Sequence, residues 1–319
     1  MKEFDFIRHY LQSRELTDAN IILGIGDDAA ILRPQSGFDW HISTDMMVSG
    51  RHFFPDVAPQ DLAHKLLAVN LSDMAAMGAT PKYALLSAAL PDLNNDWLEA
   101  FCSAFFAMAD NFGVSLIGGD TTQGAGVFNL TIMGQTPTGK GLKRNAAQMG
   151  DDIWVSGILG LAAAALASRL QGFRLPENCF AICEEKLLRP MPRVALGQDL
   201  LDLAHAAQDI SDGLWQDLEH ITTASGVGAT IFADDLPMLD DLNRHPENLQ
   251  WALTGGDDYE LIFTASADKA KHIQNLSQKH HLPMTRIGKI TQGQGVRVLN
   301  QHQQEIHFKQ KGFNHFEKA

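Results

Sequence analysis

Gly24-Ile-Gly-Asp-Asp-Ala-Ala-Ile31 sets two adjacent carboxylates between glycines and an apolar run, an arrangement that packing alone does not explain. Ile21, Ile22 and Leu23 read as the end of a buried strand, so Asp27 and Asp28 are expected where backbone groups meet solvent. Gly24, Gly26 and Ala29 match the spacing of a dinucleotide fingerprint, and Asp45 lies about where a ribose-binding acid would. The geometry excludes that fold. A parallel βαβ unit needs a crossover helix, whereas only Ala30 to Asp39 intervene, broken by Pro34 and by Ser36-Gly37. Two carboxylates would also repel a pyrophosphate unless a divalent cation stood between them. The stretch therefore reads either as part of a cation site holding a phosphate on its far side, or as a turn whose aspartates cap local N–H groups.

With 319 residues and 45% hydrophobic content, the chain exceeds the usual size of a single core, and two domains are expected. Their boundaries read as 1–139 and 150–319, with 140–149 as linker. A net charge of −13 argues against a nucleic-acid or anionic-membrane partner, because there is no Lys/Arg excess to replace phosphate counterions. Cys102, Cys179 and Cys183 are sparse and odd in number, and Cys179-x-x-x-Cys183 lacks the second pair that a zinc site needs. They read as free thiols in a reducing cytoplasm. The N-terminus has no apolar core of the signal-peptide kind, and the longest apolar run, near Gly157 to Ala167, is far short of a bilayer span.

Along the chain, Met1 to Leu11 carries apolar residues at helical spacing, and Trp40 to Asp45 alternates as a strand ending in Ser43, Thr44 and Asp45, all oxygen donors. Pro59 to Ala79 has matching helix start and stop signals, with Leu66, Asn70, Asp73 and Met77 on one stripe. A buried carboxylate needs a partner, so Asp73 calls for a metal or a salt bridge. A helix at Trp97 to Asn111 precedes a strand from Val114 that enters a glycine turn, Gly118-Gly119-Asp120. Gly134 to Gly141 approaches a P-loop but ends in Gly where Ser or Thr must reach magnesium, and Pro137 interrupts it. It reads instead as interdomain linker, with Arg144 just beyond it as either a phosphate contact or part of a solvated loop. In the second half a strand is expected at Ile153 to Gly157, with helices at about Leu161 to Gln171 and Arg193 to Ala207. Two further acidic turns follow, at Asp209 to Leu214 and at Gly255 to Leu261. Six acidic turns at element ends, without a His/Cys ligand pattern, point to magnesium or another hard cation and hence to phosphoryl transfer.

Gly-Ile-Gly-Asp27-Asp28-Ala-Ala, Ser43-Thr44-Asp45, Asn70-Leu-Ser-Asp73-Met-Ala-Ala-Met-Gly-Ala, Gly118-Gly119-Asp120-Thr-Thr, Asp209-Ile-Ser211-Asp212-Gly-Leu and Gly255-Gly-Asp257-Asp258-Tyr-Glu-Leu occur in that order. Over nearly the whole chain this resembles the thiamine-monophosphate kinases, of the ATP-binding superfamily that also holds aminoimidazole ribonucleotide synthetase, selenophosphate synthetase and a hydrogenase-maturation protein. The resemblance implies an α+β, two-domain fold like that of aminoimidazole ribonucleotide synthetase. Its N-terminal α+β domain pairs strands across a homodimer, and its C-terminal domain is α/β. It implies ATP as co-substrate, thiamine monophosphate as acceptor and several Mg2+ ions held by Asp28, Ser43, Thr44, Asp45, Asp73, Asp120, Asp209 and Asp212. Gly119, Asp120, Arg144 and Ser211 would contact the nucleotide, and His52, Asp257 and Phe313 the thiamine monophosphate. The chain departs from the family at Ser103, where an aromatic residue often approaches the nucleotide, and at Phe313, where Trp or Tyr is expected. Transfer is expected to be direct, with no covalent or general-base residue. Selenophosphate or aminoimidazole ribonucleotide synthesis is the second enzymatic reading, the former disfavoured because no Cys precedes Cys102. A cation-dependent nucleotide-binding scaffold is the non-enzymatic one.

Overall fold

The structure, a computed structural model, describes residues 3–172, 174–242 and 245–313. Met1 and Lys2 of the expected first helix, and Asn314, His315 and Phe316 of the tail, lie outside them. The chain divides into two compact units, Met1–Met74 with Ala79–Gly139, and Ala75–Gly78 with Lys140–Ala319.

The first unit begins with α1 (Glu3–Phe6), which passes into a π-helical turn at Ile7–Leu11. β1 (Ile21–Leu23) and β2 (Ile31–Leu32) pair as a two-stranded antiparallel ribbon. Ile22 and Ile31 are about half exposed, so the expectation of a buried strand before Gly24 is corrected: among the described residues β1 and β2 pair only with each other, and a ribbon of two short strands buries little of its own faces. β3 (Phe38–Val48), β4 (Thr80–Leu90), β5 (Ser115–Gln123) and β6 (Val127–Pro137) form a sheet in the order β3-β6-β4-β5. β4 and β5 run parallel and are joined by α3 (Asn95–Phe112); the other pairs are antiparallel.

Local chemistry sets these elements. The Asn94 side chain accepts the Trp97 N–H at 3.0 Å to start α3, and Gly113 in the left-handed region ends it. Between them Leu98, Phe101, Cys102, Phe105 and Ala109 recur at helical spacing and are buried. β6 alternates strictly, burying Phe128, Leu130 and Ile132, and the Phe128 ring lies 5.5 Å from that of Phe101. α2 (Pro59–Ala76) is buried on nearly every side, with Leu66, Leu67 and Leu71 fully enclosed. Truncating any of these to Ala would cost about 2–5 kcal/mol.

Two expectations are corrected in this unit. Gly118-Gly119-Asp120 is not a turn: β5 continues through it to Gln123, with a bulge where Ala84 and Leu85 of β4 face Leu116 and Gly118. Glycine is needed at 119 because a Cβ there would lie 1.8 Å from the Leu86 carbonyl oxygen. Gly134 to Pro137 is strand rather than linker, and Gly134 lets β6 pack against Met74 and the Thr80 carbonyl.

The second unit contains β7 (Asp152–Ser156), α4 (Leu161–Gln171), α5 (Glu177–Leu188), α6 (Val194–Asp199), β8 (Ala206–Asp209), α7 (Leu214–Ser225), β9 (Gly228–Phe232), α8 (Asn248–Thr254), β10 (Leu261–Ala265), α9 (Ala270–His280), β11 (Met284–Thr291) and β12 (Gly295–Leu299). Its sheet has the order β12-β9-β11-β7-β10-β8, antiparallel except for the β9–β12 pair. Helices therefore accompany a largely antiparallel sheet rather than crossing between parallel strands. The helix expected at Arg193 to Ala207 is corrected: α6 ends at Asp199, and 206–209 is strand β8, held by β10 through pairs such as Ala207 with Phe263. Tertiary pairing overrides an alanine-rich helical propensity there. Cys102, Cys179 and Cys183 are buried free thiols. Among the described residues no helix is long and apolar enough to cross a membrane.

Candidate active site

In the first unit the Ser43 hydroxyl donates to the Asp73 carboxylate at 2.5 Å, tying β3 to α2. Asp45 lies two residues along β3 and so shares the Ser43 face. Thr44, between them, faces the other way: its hydroxyl donates to the Leu130 carbonyl at 3.1 Å and accepts from Thr131. Asp45 is inside β3 rather than at its end, because the strand continues to Val48. Asp120 is also internal to its strand, in register with exposed Ser87, which is itself in register with Asn129 and, through it, with Met46. That row alternates with the one containing Asp45, Leu130 and Leu86, so Asp120 stands on the sheet face opposite Asp45. β3 and β5 are three strand spacings apart, about 14 Å, so the sheet does not bring Asp45 and Asp120 together. Asp28 is exposed in the loop after Gly26, and its N–H donates to the Asp27 carboxylate at 2.8 Å. The capping role therefore falls to Asp27. His52 follows a tight turn, where Nδ1 accepts the Val48 N–H at 3.0 Å, which places the ring proton on Nε2.

In the second unit the sites converge through the backbone. Asp209 ends β8, and the chain turns through Ile210, Ser211, Asp212 and Gly213 into α7. The 255–259 loop zips onto that turn: the Asp257 N–H donates to the Ser211 carbonyl at 2.9 Å and the Tyr259 N–H to the Ile210 carbonyl at 2.8 Å. Gly256 permits the approach, since a Cβ there would lie 2.6 Å from the Ser211 oxygen. Asp257 and Tyr259 adopt left-handed backbone, φ 67° and 46°, a strained pair of the kind concentrated at functional sites. The Phe313 N–H donates to the Asp212 carbonyl at 2.9 Å, and its side chain is 39% exposed, so it is not a core anchor. Asp209, Ser211, Asp212, Asp257 and Phe313 thus form one neighbourhood drawn from three segments. Arg144 opens a 3-10 turn clamped to α7 by Ser225, whose hydroxyl donates to the Arg144 carbonyl at 2.8 Å and accepts the Ala147 N–H at 3.1 Å. The Arg144 side chain is exposed, and its charge joins burial in lowering the pKa of His220 on α7.

Other acids in these motifs are structural. Asp258 is fully buried and accepts the Gly160 N–H through both carboxylate oxygens, at 3.1 and 3.0 Å, just before α4. Burial, with the charges of Glu260 and Asp257, pushes its carboxyl up to about 8, against the opposing pull of Lys186 and the Gly160 N–H. Glu260, 1% exposed, is held by Lys186 at 2.5 Å, by Arg193 at 2.6 Å and by the Ser156 hydroxyl at 2.6 Å. Burial opposes its ionisation, but the two cations reverse that and hold the carboxyl below the usual range. Sequence reasoning grouped both with the acidic turns because it could not see burial or the distant cations. It also passed over Asp217, on which the 209–213 turn rests.

Among the described residues no three His, Cys, Asp or Glu side chains gather as a ready-made metal centre. The Ser43, Asp45 and Asp73 oxygens in one unit and the Asp209 and Asp212 carboxylates in the other are hard oxygen donors.

Residues 26–136 match the family described as AIR synthase related protein, N-terminal domain, and residues 148–300 its C-terminal domain. The thiamine-monophosphate kinase of Salmonella typhimurium is 42% identical over 321 aligned residues, covering 98% of both chains. The crystal structure of thiamine-monophosphate kinase from Stenotrophomonas maltophilia K279a superposes with a TM-score of 0.84 at 46% identity, covering 92% of this chain and 94% of that one. AaThiL complexed with AMPPCP and TMP gives a TM-score of 0.77 at 28% identity, covering 88% of this chain and 89% of that one. With near-complete coverage at 42% identity and matches to both domain families, the chain belongs to the thiamine-monophosphate kinases.

Proposed function

We propose that this chain phosphorylates thiamine monophosphate to thiamine diphosphate at the expense of ATP. The observation that carries the reading is the convergence of Asp209, Ser211, Asp212, Asp257 and Phe313 on one backbone-bonded turn, in a chain of this family. An oxygen of the thiamine monophosphate phosphate attacks the γ-phosphorus in line, the bond to the β–γ bridging oxygen breaks, and that oxygen leaves on ADP. The attacking phosphate is already anionic, so neither a general base nor a covalent intermediate is needed. Magnesium, when bound, neutralises charge on the phosphates.

Asp28, Ser43, Thr44, Asp45, Asp73, Asp120, Asp209 and Asp212 are assigned to magnesium. Gly119, Asp120, Arg144 and Ser211 are assigned to the nucleotide, and His52, Asp257 and Phe313 to thiamine monophosphate. Opposite sheet faces for Asp45 and Asp120 support several ions rather than one, since a magnesium ligand lies about 2.1 Å from its ion. Thr44, whose hydroxyl is engaged elsewhere, would offer its backbone oxygen. We assign the chain to the cytoplasm, a reading supported by three buried free thiols.

The test supplies ATP, magnesium and thiamine monophosphate and measures ADP and thiamine diphosphate together. Equal formation of both supports the reading; ATP binding without diphosphate would favour a scaffold or another acceptor. We further propose a homodimer joined along β3, an eleven-residue edge strand whose Ile42 and Met46 are 67% and 56% exposed. Ile42→Lys should then shift the sedimenting species from dimer to monomer, and an unchanged mass would remove β3 from the interface.

A further inference from the structure

Asp217 is assigned to neither substrate nor metal, yet the turn that carries Ser211 and Asp212 rests on it. Its carboxylate is 1% exposed. One oxygen accepts the backbone N–H groups of Ser211, Asp212 and Gly213 at 3.0, 3.1 and 3.1 Å. The other accepts the Gln208 side-chain amide at 2.8 Å, with His220 Nδ1 at 3.8 Å. An ordinary N-cap sits before its helix and accepts from the N–H groups two or three residues later. Asp217 does the reverse, reaching back from the first turn of α7 to gather three consecutive N–H groups ahead of the helix. The carbonyls of the same turn face other segments, Ser211 accepting from Asp257 and Asp212 from Phe313. One buried carboxylate therefore fixes the donor side of a turn whose acceptor side holds two of the three segments assigned to thiamine monophosphate, those of Asp257 and Phe313.

We infer that Asp217 is a positioning residue that sets the Ser211–Gly213 turn and, through it, Asp257 and Phe313, so that nucleotide and acceptor contacts are aligned by one hub. The inference rests on the functional reading above. A misplacement of about 1 Å can cost about a hundredfold in rate, so a hub of this kind governs both substrates together.

The full chain is tested as Asp217→Ala, Asp217→Asn and, for reference, Ser211→Ala. Each is measured for the KM of ATP and of thiamine monophosphate, kcat, melting temperature and amide hydrogen exchange over residues 210–216. Asp217→Ala should speed exchange at the three amides and raise both KM values about tenfold or more. Ser211→Ala should raise the ATP value alone. Asp217→Asn should leave both KM values within about threefold of wild type, because its remaining oxygen can still accept from the turn, and once the Gln208 amide turns over, its NH2 donates to Gln208 Oε1, a buried acceptor without a partner among the described residues. A purely structural role would lower the melting temperature of Asp217→Ala and leave both KM values unchanged, which overturns the inference. If Asp217→Ala does not fold, Asp217→Asn decides: near-wild-type KM and kcat support positioning, and a collapse of kcat at unchanged KM overturns it by showing that the charge itself acts. A wild-type chain that makes no thiamine diphosphate removes the functional reading instead. Hydrogen exchange then still decides the hub, since equal protection of the three amides with and without Asp217 would overturn it.

Discussion

The two units hold their candidate ligands in different ways. In the first, Ser43, Thr44, Asp45 and Asp120 sit on strands, so register spreads them over both faces of a sheet, and a side-chain hydrogen bond joins Ser43 to Asp73. In the second, Asp209, Ser211, Asp212, Asp257 and Phe313 hang on one another through backbone hydrogen bonds. A strand positions a side chain only as accurately as its neighbours fix the sheet, whereas this turn is fixed by main-chain bonds to two other segments and by the Asp217 carboxylate beneath it. The second neighbourhood should thus keep its shape when the ligand side chains themselves are replaced, provided Asp217 still holds the turn, and the first should depend on the chemistry of each oxygen.

The largest expected effect separates structural acids from functional ones. Glu260→Gln leaves Lys186 and Arg193 facing a neutral partner inside the second unit and should destabilise it by about 3–5 kcal/mol in denaturant titrations. A loss below about 1 kcal/mol would mean that solvent reaches the pair. Next comes Asp73→Asn, which keeps the shape and the acceptor for Ser43 but removes an anionic oxygen that magnesium prefers. A fall in kcat/KM of about a hundredfold, about 2.7 kcal/mol, with an unchanged melting curve is expected. Unfolding, with normal activity in whatever remains folded, would return Asp73 to a structural role.

Buried Asp258 and Glu260 should then pull stability in opposite directions with pH. A folded pKa of about 8 for Asp258 lies above its unfolded value, so its contribution is fully present below about pH 4 and is lost as pH rises toward 8. Glu260 is depressed, so its contribution is present above its unfolded pKa, about 4.3, and is lost as pH falls through its lower folded value. Asp258→Asn should flatten the decline in denaturation midpoint between pH 5 and 8, and an unaltered slope would show that Asp258 ionises freely. The smallest effect is expected at Phe313. Alanine keeps the main-chain bond to Asp212, and the half-exposed ring contributes little to the core. If the ring meets the thiazolium cation, its loss should raise KM for thiamine monophosphate by about two- to thirtyfold, from a contact of about 0.5–2 kcal/mol. Because that charge is constant during transfer, kcat should hold. A KM that does not move would exclude the contact.

The sequence by itself determined the order of the motifs, the two-domain organisation of the family and most helices with clear caps. α4 spans the expected Leu161–Gln171, and α3 lies within a residue or two of its expectation, because periodicity and flanking glycines are local signals. Tertiary structure decided what local signals cannot carry. It drew Ala206–Asp209 into a sheet, ran β5 straight through Gly118-Gly119 on a bulge, and left α5 to be found only by packing. It also divided acids that look alike on paper: Asp257 sits on a strained, partly exposed turn, while its neighbours Asp258 and Glu260 are consumed by a helix start and by two distant cations. Whether a carboxylate is buried depends on residues up to about a hundred positions away, such as Ser156 for Glu260, and that information enters only when the chain has folded.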